Sequence, residues 1–158
     1  MQTSEVHDYL ALLCELRETL EKLTEIEQKK TIAVRQDDLN LLNECMKQEQ
    51  VLSLTLRGYE QKRLSTLSAW NLEHLPLSGL SSHVPPEQRL EAKRIAEELL
   101  RQYELFKGSM EVAQNTIECN LHQVEKHLNE LGAAPTALSG YDGVTPELPS
   151  SLRTDFRA

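Results

Sequence analysis

The sequence predicts an all-α protein: an antiparallel helical hairpin followed by a longer third helix, an elongated three-helix, coiled-coil-like bundle. Three observations carry that prediction. Apolar residues recur at alternating steps of three and four along three long stretches, the repeat that gathers them on one helix face. Glycine and proline number six each in 158 residues, too few for the many turns of a β-sandwich. Aromatics make up only 4%, so the core has to be aliphatic, and leucine dominates the candidates.

The first helix is expected over about 4–34. Val6, Tyr9, Leu13, Leu16, Leu20 and Leu23 form its stripe, and Ile26 and Ala33 continue it after a small slip. Glu15, Glu18, Glu21, Lys22, Glu25 and Glu27 are assigned to the outside, with Ser4 as N-cap. The second helix is expected over about 38–70. Asp38 is a suitable N-cap, because its carboxylate accepts orphan backbone N–H groups at the positive helix end. Leu39, Leu42, Met46, Leu52, Leu56, Tyr59, Leu67 and Trp70 follow at helical spacing, interrupted by Glu49 and Arg63. Leu41, Val51, Leu54 and Leu64 form a second strip, which predicts a second neighbour. The short link at 35–38 makes these two helices an antiparallel pair.

Residues 71–84 contain Pro76, Gly79 and three serines, which break the helical pattern. Leu72, Leu75, Leu77 and Leu80 are costly to leave in water, so this segment is expected to lie against the end of the hairpin. Pro85 and Pro86 open the third helix, expected over about 85–131, since proline is tolerated in a first turn. Its stripe is the longest in the chain: Ala92, Ala96, Leu99, Tyr103, Phe106, Met110, Ala113, Ile117, Leu121, Val124, Leu128 and Leu131. Gly132 and Pro135 supply the stop. At ~1.5 Å per residue such a helix spans roughly 70 Å against roughly 45 Å for the first. Part of it must overhang the hairpin unless it breaks, and Gly108-Ser109 is the expected kink. Residues 1–132 therefore read as one helical bundle domain, and 133–158, with proline, glycine and serine, as a flexible tail.

The formal net charge of −8 disfavours binding to nucleic acid. No apolar run approaches the ~20 residues of a membrane helix, and the first residues lack the basic start and apolar core of a secretory signal. Cys14, Cys45 and Cys119 are odd in number and widely spaced, the usage of a reduced, cytoplasmic protein. Cys119 and His122 lie one turn apart, but two ligands do not close a zinc site. They are read as a partly buried cysteine beside a surface histidine. The sequence contains no Gly-rich phosphate loop, H-E-x-x-H or nucleophile elbow, so neither enzyme activity nor a cofactor is expected. The distal stripe Ile117, Leu121, Val124, Leu128 and Leu131 has two readings: intramolecular core, or an amphipathic face that takes a partner helix.

The chain resembles the FlgN-type flagellar export chaperones, small acidic helical proteins of the bacterial cytoplasm. The layout of hairpin, leucine-bearing break, long third helix and loose tail is similar throughout. Two segments are similar locally. One is Ala113-Gln114-Asn115-Thr116-Ile117-Glu118-Cys119-Asn120-Leu121, beside the family's paired-asparagine segment. The other is Leu138-Ser139-Gly140-Tyr141-Asp142-Gly143, beside its Leu-Tyr-Gly-x-Asp-Gly signature. Gly140, Asp142 and Gly143 match in register. The family's tyrosine precedes the first glycine, where this chain has Ser139.

The resemblance implies a non-enzymatic role. Such chaperones bind amphipathic C-terminal segments of the hook–filament junction proteins, prevent premature assembly and deliver them to the type III export gate. Client binding would then fall to Asn115, Ile117, Asn120, Leu121, Val124, Leu128 and Leu131. Docking at a component of the export gate would fall to Tyr141, Asp142 and Gly143. The rival reading is an acidic coiled-coil scaffold, or a homodimer joined through the third helix, without a client.

Overall fold

The computed structural model describes residues 2–132. The described residues form four α-helices and no strand: α1 (Thr3–Arg35), α2 (Leu39–Ala69), α3 (Leu80–His83) and α4 (Arg89–Glu130). Single 3-10 turns at Leu77–Gly79 and Pro86–Gln88 precede α3 and α4. The two hairpin helices, the leucine-bearing break and a long last helix are all present, but the last helix begins at Arg89, behind the 3-10 turn of Pro86–Gln88, rather than at Pro85.

α1 is the central rod. Val6, Tyr9, Leu13, Leu16, Leu20 and Leu23 are all buried, together with Leu10. The helix starts two residues before the expected cap: Gln2 is the N-cap, and its backbone N–H donates to Glu5 at 3.1 Å. Ser4 therefore sits inside the first turn. The link to α2 is as short as expected. Asp37 adopts a left-handed conformation (φ 53°) that an aspartate tolerates. The Asp38 carboxylate then caps α2 by accepting from the Leu41 N–H at 3.0 Å.

α2 departs from its apolar reading in three places. Leu39 is 71% exposed, because it lies at the helix start beside the turn. Of the second strip, Val51 and Leu54 remain in water, whereas Leu64 is half-buried and Leu41 packs on Ala33, Val34 and Leu42. Glu49 and Arg63 do not interrupt the seam but fill it with buried ion pairs, Arg63 bridging Glu60 at 2.8 Å. Glu27 on α1, assigned to the outside, is completely enclosed for the same reason: it meets Lys30 and Glu49 inside the hairpin.

Residues 71–84 close one end of the bundle, as their leucines require. Leu77, Leu80 and Val84 are buried against Val6, Leu67 and Ala92, with Leu72 and Leu75 packed on the same cluster. The segment is not wholly irregular, because α3 adds one helical turn. Tyr9 and Trp70 meet edge to face at this end, with ring centroids 5.1 Å apart.

α4 runs alongside α1 in the same direction. Gln88 reaches the Thr3 carbonyl at 3.3 Å, Arg17 pairs with Glu98 at 3.0 Å, and Gln102 donates to the Thr24 hydroxyl at 3.1 Å. These ties step along both helices together. The helical run of α4 is unbroken through Gly108 and Ser109. With 42 residues against 33 in α1, it is about 63 Å long against about 50 Å, at ~1.5 Å per residue.

Candidate functional site

The apolar stripe of α4 changes character along its length. From Ala92 to Phe106 its members are buried in the main core, and Ala113 is enclosed. Ile117 is the last to find an intramolecular seat. It is half-buried and packs on a small separate cluster of Ala33, Val34 and Leu42 at the hairpin turn. Beyond it the stripe continues at the same spacing, but neither apolar cluster includes it. Leu121 and Leu128 are half-buried, Val124 is 38% exposed and Leu131, just past the helix, is 82% exposed.

Length explains the change. α1 ends at Arg35, and Arg35 and Asp37 line a shallow groove with Asn115, Thr116, Cys119, Asn120 and Gln123 of α4. The hairpin turn is thus level with about residue 119. The remaining ~10 residues of α4 extend about 15 Å past it. The overhang expected from the sequence is present, and it arises without a break at Gly108.

The two asparagines stand differently to the stripe: Asn120, one turn before Val124, borders it, and Asn115 does not. Asn115 precedes Ile117 by two residues, which turns it about 160° away around the helix. It is exposed, Asn120 is half-buried, and both line the polar groove of about 440 Å³ beside the hairpin turn. The candidate residues therefore form an apolar edge (Leu121, Val124, Leu128, Leu131) bordered by a polar groove, with Asn120 next to the edge and Asn115 on the far side of the groove. Sequence reasoning places the edge and both asparagines on α4, whereas Gln123, which also lines the groove, breaks no pattern and is not singled out. The hairpin-turn residues Val34, Arg35 and Asp37 could be found only in three dimensions.

The outer face of the overhang is hydrophilic, lined by His122, Glu125, Lys126, Asn129 and Glu130. Three carboxylates, Glu118, Glu125 and Glu130, stand against one lysine, Lys126. Nothing in this set provides a reaction centre. Cys119 is exposed rather than partly buried, and His122 is exposed beside it. Among the described residues no group of three or more histidine, cysteine or carboxylate side chains could hold a metal ion. No helix of the described residues is long and apolar enough to cross a membrane.

A family model described as FlgN protein matches residues 1–143. The chain belongs to the FlgN family. The match covers all four helices, passes the end of α4 and includes the Leu138–Gly143 segment. FlgN proteins are flagellar export chaperones, a non-catalytic family, which agrees with a surface built of apolar edge and amides. No curated protein and no solved structure matches the chain. The expected docking residues Tyr141, Asp142 and Gly143 lie outside the described residues, as does the whole segment expected to be a tail.

Proposed function

We propose that this FlgN protein is a cytoplasmic export chaperone whose α4 overhang holds the amphipathic C-terminal segment of a flagellar hook–filament junction protein. The observation that supports this reading most is the continuation of the α4 stripe past Ile117, its last intramolecular seat, onto Val124 and Leu131. An apolar edge that leaves its own core is stable only if something covers it when needed. A client helix laid along Leu121, Val124, Leu128 and Leu131 is the fitting cover, since helix-in-groove recognition uses this spacing. Asn115 and Asn120 would flank the client with amide groups able to bond polar side chains or a frayed backbone end.

The energetics suit a carrier. Burying leucine-class side chains yields ~1.5–3 kcal/mol each, less large association and ordering costs. Four such residues give a complex that holds its passenger and can still release it. The same small area argues against a stable homodimer through this edge, because lasting interfaces bury about 800 Å² per partner. In this reading residues 1–132 form the client-holding bundle, and the segment from 133 carries Tyr141, Asp142 and Gly143 to the export gate. It delivers a client kept monomeric until then.

The test is a titration of the full chain with synthetic C-terminal peptides of junction proteins, followed by calorimetry. Leu121→Asp with Leu128→Asp should abolish binding while the melting curve of the bundle stays in place. Loss of binding through general unfolding, or no binding by the native chain, would remove the reading. A native chain that sediments as a dimer, dissociated by the same two substitutions, would replace it with the homodimer. Tyr141→Ala should leave peptide binding intact and lower export of the client in flagellated cells.

A further inference from the structure

The two apolar clusters of the hairpin are separated by a polar layer. The main core ends on α1 at Leu23, and the small distal cluster begins at Ala33. Between them Glu27 is 0% exposed, Lys30 4% and, from α2, Glu49 3%. The Lys30 ammonium lies 2.8 Å from Glu49 Oε2 and 3.3 Å from Glu27 Oε2. One cation thus serves two enclosed carboxylates. Glu27 Oε2 and Glu49 Oε1 accept no hydrogen bond. Fully ionised, the layer carries one uncompensated buried negative charge, an expensive arrangement. A single added proton makes it neutral and supplies a donor between the carboxylates.

We propose that this layer is a proton-operated latch: with one proton shared between Glu27 and Glu49 the distal hairpin is closed, and with both ionised it loosens. The distal cluster of Ala33, Val34 and Leu42 is where Ile117 sits. Loosening it therefore frees the footing of the α4 overhang, while the main core stays packed. The latch is a property of this chain alone and does not rest on the identity of any client.

The electrostatics agree in direction. Burial, reinforced by the neighbouring Glu49 carboxylate, pushes Glu27 up to about 8, against the opposing pull of Lys30. Burial draws the Lys30 ammonium downward, but Glu27 and Glu49 outweigh it and hold it above its ordinary range. The charges acting on Glu27 are Lys30 from α1 and Glu49 from α2. Lys29 and Glu44 act on Cys45, one turn before Glu49 on α2. From α4, the buried face packed on α1 brings in one ionisable side chain, Tyr103. A carboxyl raised from its ordinary 4.5 binds its proton more tightly in the closed form. Closure is then strongest at acid pH and weakens as pH rises through about 8.

Cys45, 1% exposed on the distal half of α2, is a built-in reporter of opening, and exposed Cys119 serves as the internal reference. The experiment follows iodoacetamide labelling of each cysteine by peptide mass spectrometry between pH 6 and 9, in the full chain and in Glu27→Gln. An opening that returns Glu27 to water changes its equilibrium by about tenfold per pH unit between the two pKa values. The Cys45-to-Cys119 labelling ratio should therefore climb with pH more steeply in the native chain than in Glu27→Gln. Glu49→Gln, which removes the second carboxylate and leaves the Lys30–Glu27 pair, should flatten the profile in the same way and guards against a Glu27→Gln chain that does not fold. If the native chain and either folded variant share one pH profile, the latch does not exist.

Discussion

The Arg17 guanidinium of α1 lies 3.0 Å from the Glu98 carboxylate of α4, 81 positions later in the chain. Together with the Thr3–Gln88 and Thr24–Gln102 contacts it marks the parallel register of the two helices. That register brings Ile117 level with the hairpin turn and leaves the end of α4 unsupported. The register is held mainly by the apolar faces and only marked by the ion pair, which is about a third exposed on the arginine side. Arg17→Ala should cost less than about 1 kcal/mol in a urea melt, as for other part-exposed pairs. Leu20→Ala, fully buried in α1, should cost about 2–5 kcal/mol in the same measurement.

The stripe of α4 should respond to charge according to position. Ala113 is 0% exposed and Val124 is 38% exposed, eleven residues apart on one helix. Ala113→Asp buries an uncompensated carboxylate and should destabilise by about 3 kcal/mol or more. Val124→Asp should stay within about 0.5 kcal/mol of the native chain. Thermal denaturation of the two variants side by side checks the contrast. Equal losses would mean that the overhang is part of the cooperative core.

Removing the cation from the polar layer should have the largest effect among the charged residues. Lys30→Met leaves Glu27 and Glu49 facing each other without compensation, at a cost of about 3–5 kcal/mol near neutral pH. The sign of the pH dependence follows from the carboxylates. Glu27, which burial holds up at about 8, takes up its proton as pH falls, so the loss should shrink toward acid pH and grow as pH rises through about 8. Urea midpoints measured across that range check it.

Asp38→Ala should remove the cap that starts α2, where the carboxylate accepts from Leu41 N–H. The expected loss is about 1 kcal/mol. Faster amide exchange should be confined to the first turn of α2, because the rest of that helix is anchored through Leu42, Leu56 and Leu67.

The three long helices were legible because each carries an apolar repeat over thirty residues or so, and the Asp38 cap and Gly132 stop are local signals. The inner charges were not legible. Glu27 and Glu49 look like solvated-face residues or seam defects until the two helices are aligned. Only alignment shows that Lys30 stands between them. Gln2 and Ser4 are nearly equivalent starts for α1, since either supplies a polar side chain before the first apolar residue. The kink at Gly108 was a reasonable expectation from a weak ladder position, but α1 supports α4 on both sides of that point through Phe106 and Ala113.

The candidate site was legible in part. The repeat from Ile117 to Leu131 identified an apolar edge, and helix lengths predicted that some of it would stand clear of the hairpin. Which residues stand clear depends on the register between α1 and α4, which packing of the apolar faces sets and pairs such as Arg17–Glu98 and Gln102–Thr24 mark. The groove lined by Asn115 and Asn120 forms only when the hairpin turn stands beside them.

By itself the amino-acid order determined the helices, their approximate ends and the antiparallel hairpin, because periodicity, caps and loop length are encoded within a few residues of where they act. Tertiary structure decided how far α4 slides past the turn, which charges are enclosed, and where the covered edge becomes a free one. Those outcomes depend on contacts between residues 19 to 85 positions apart, and no local pattern contains them.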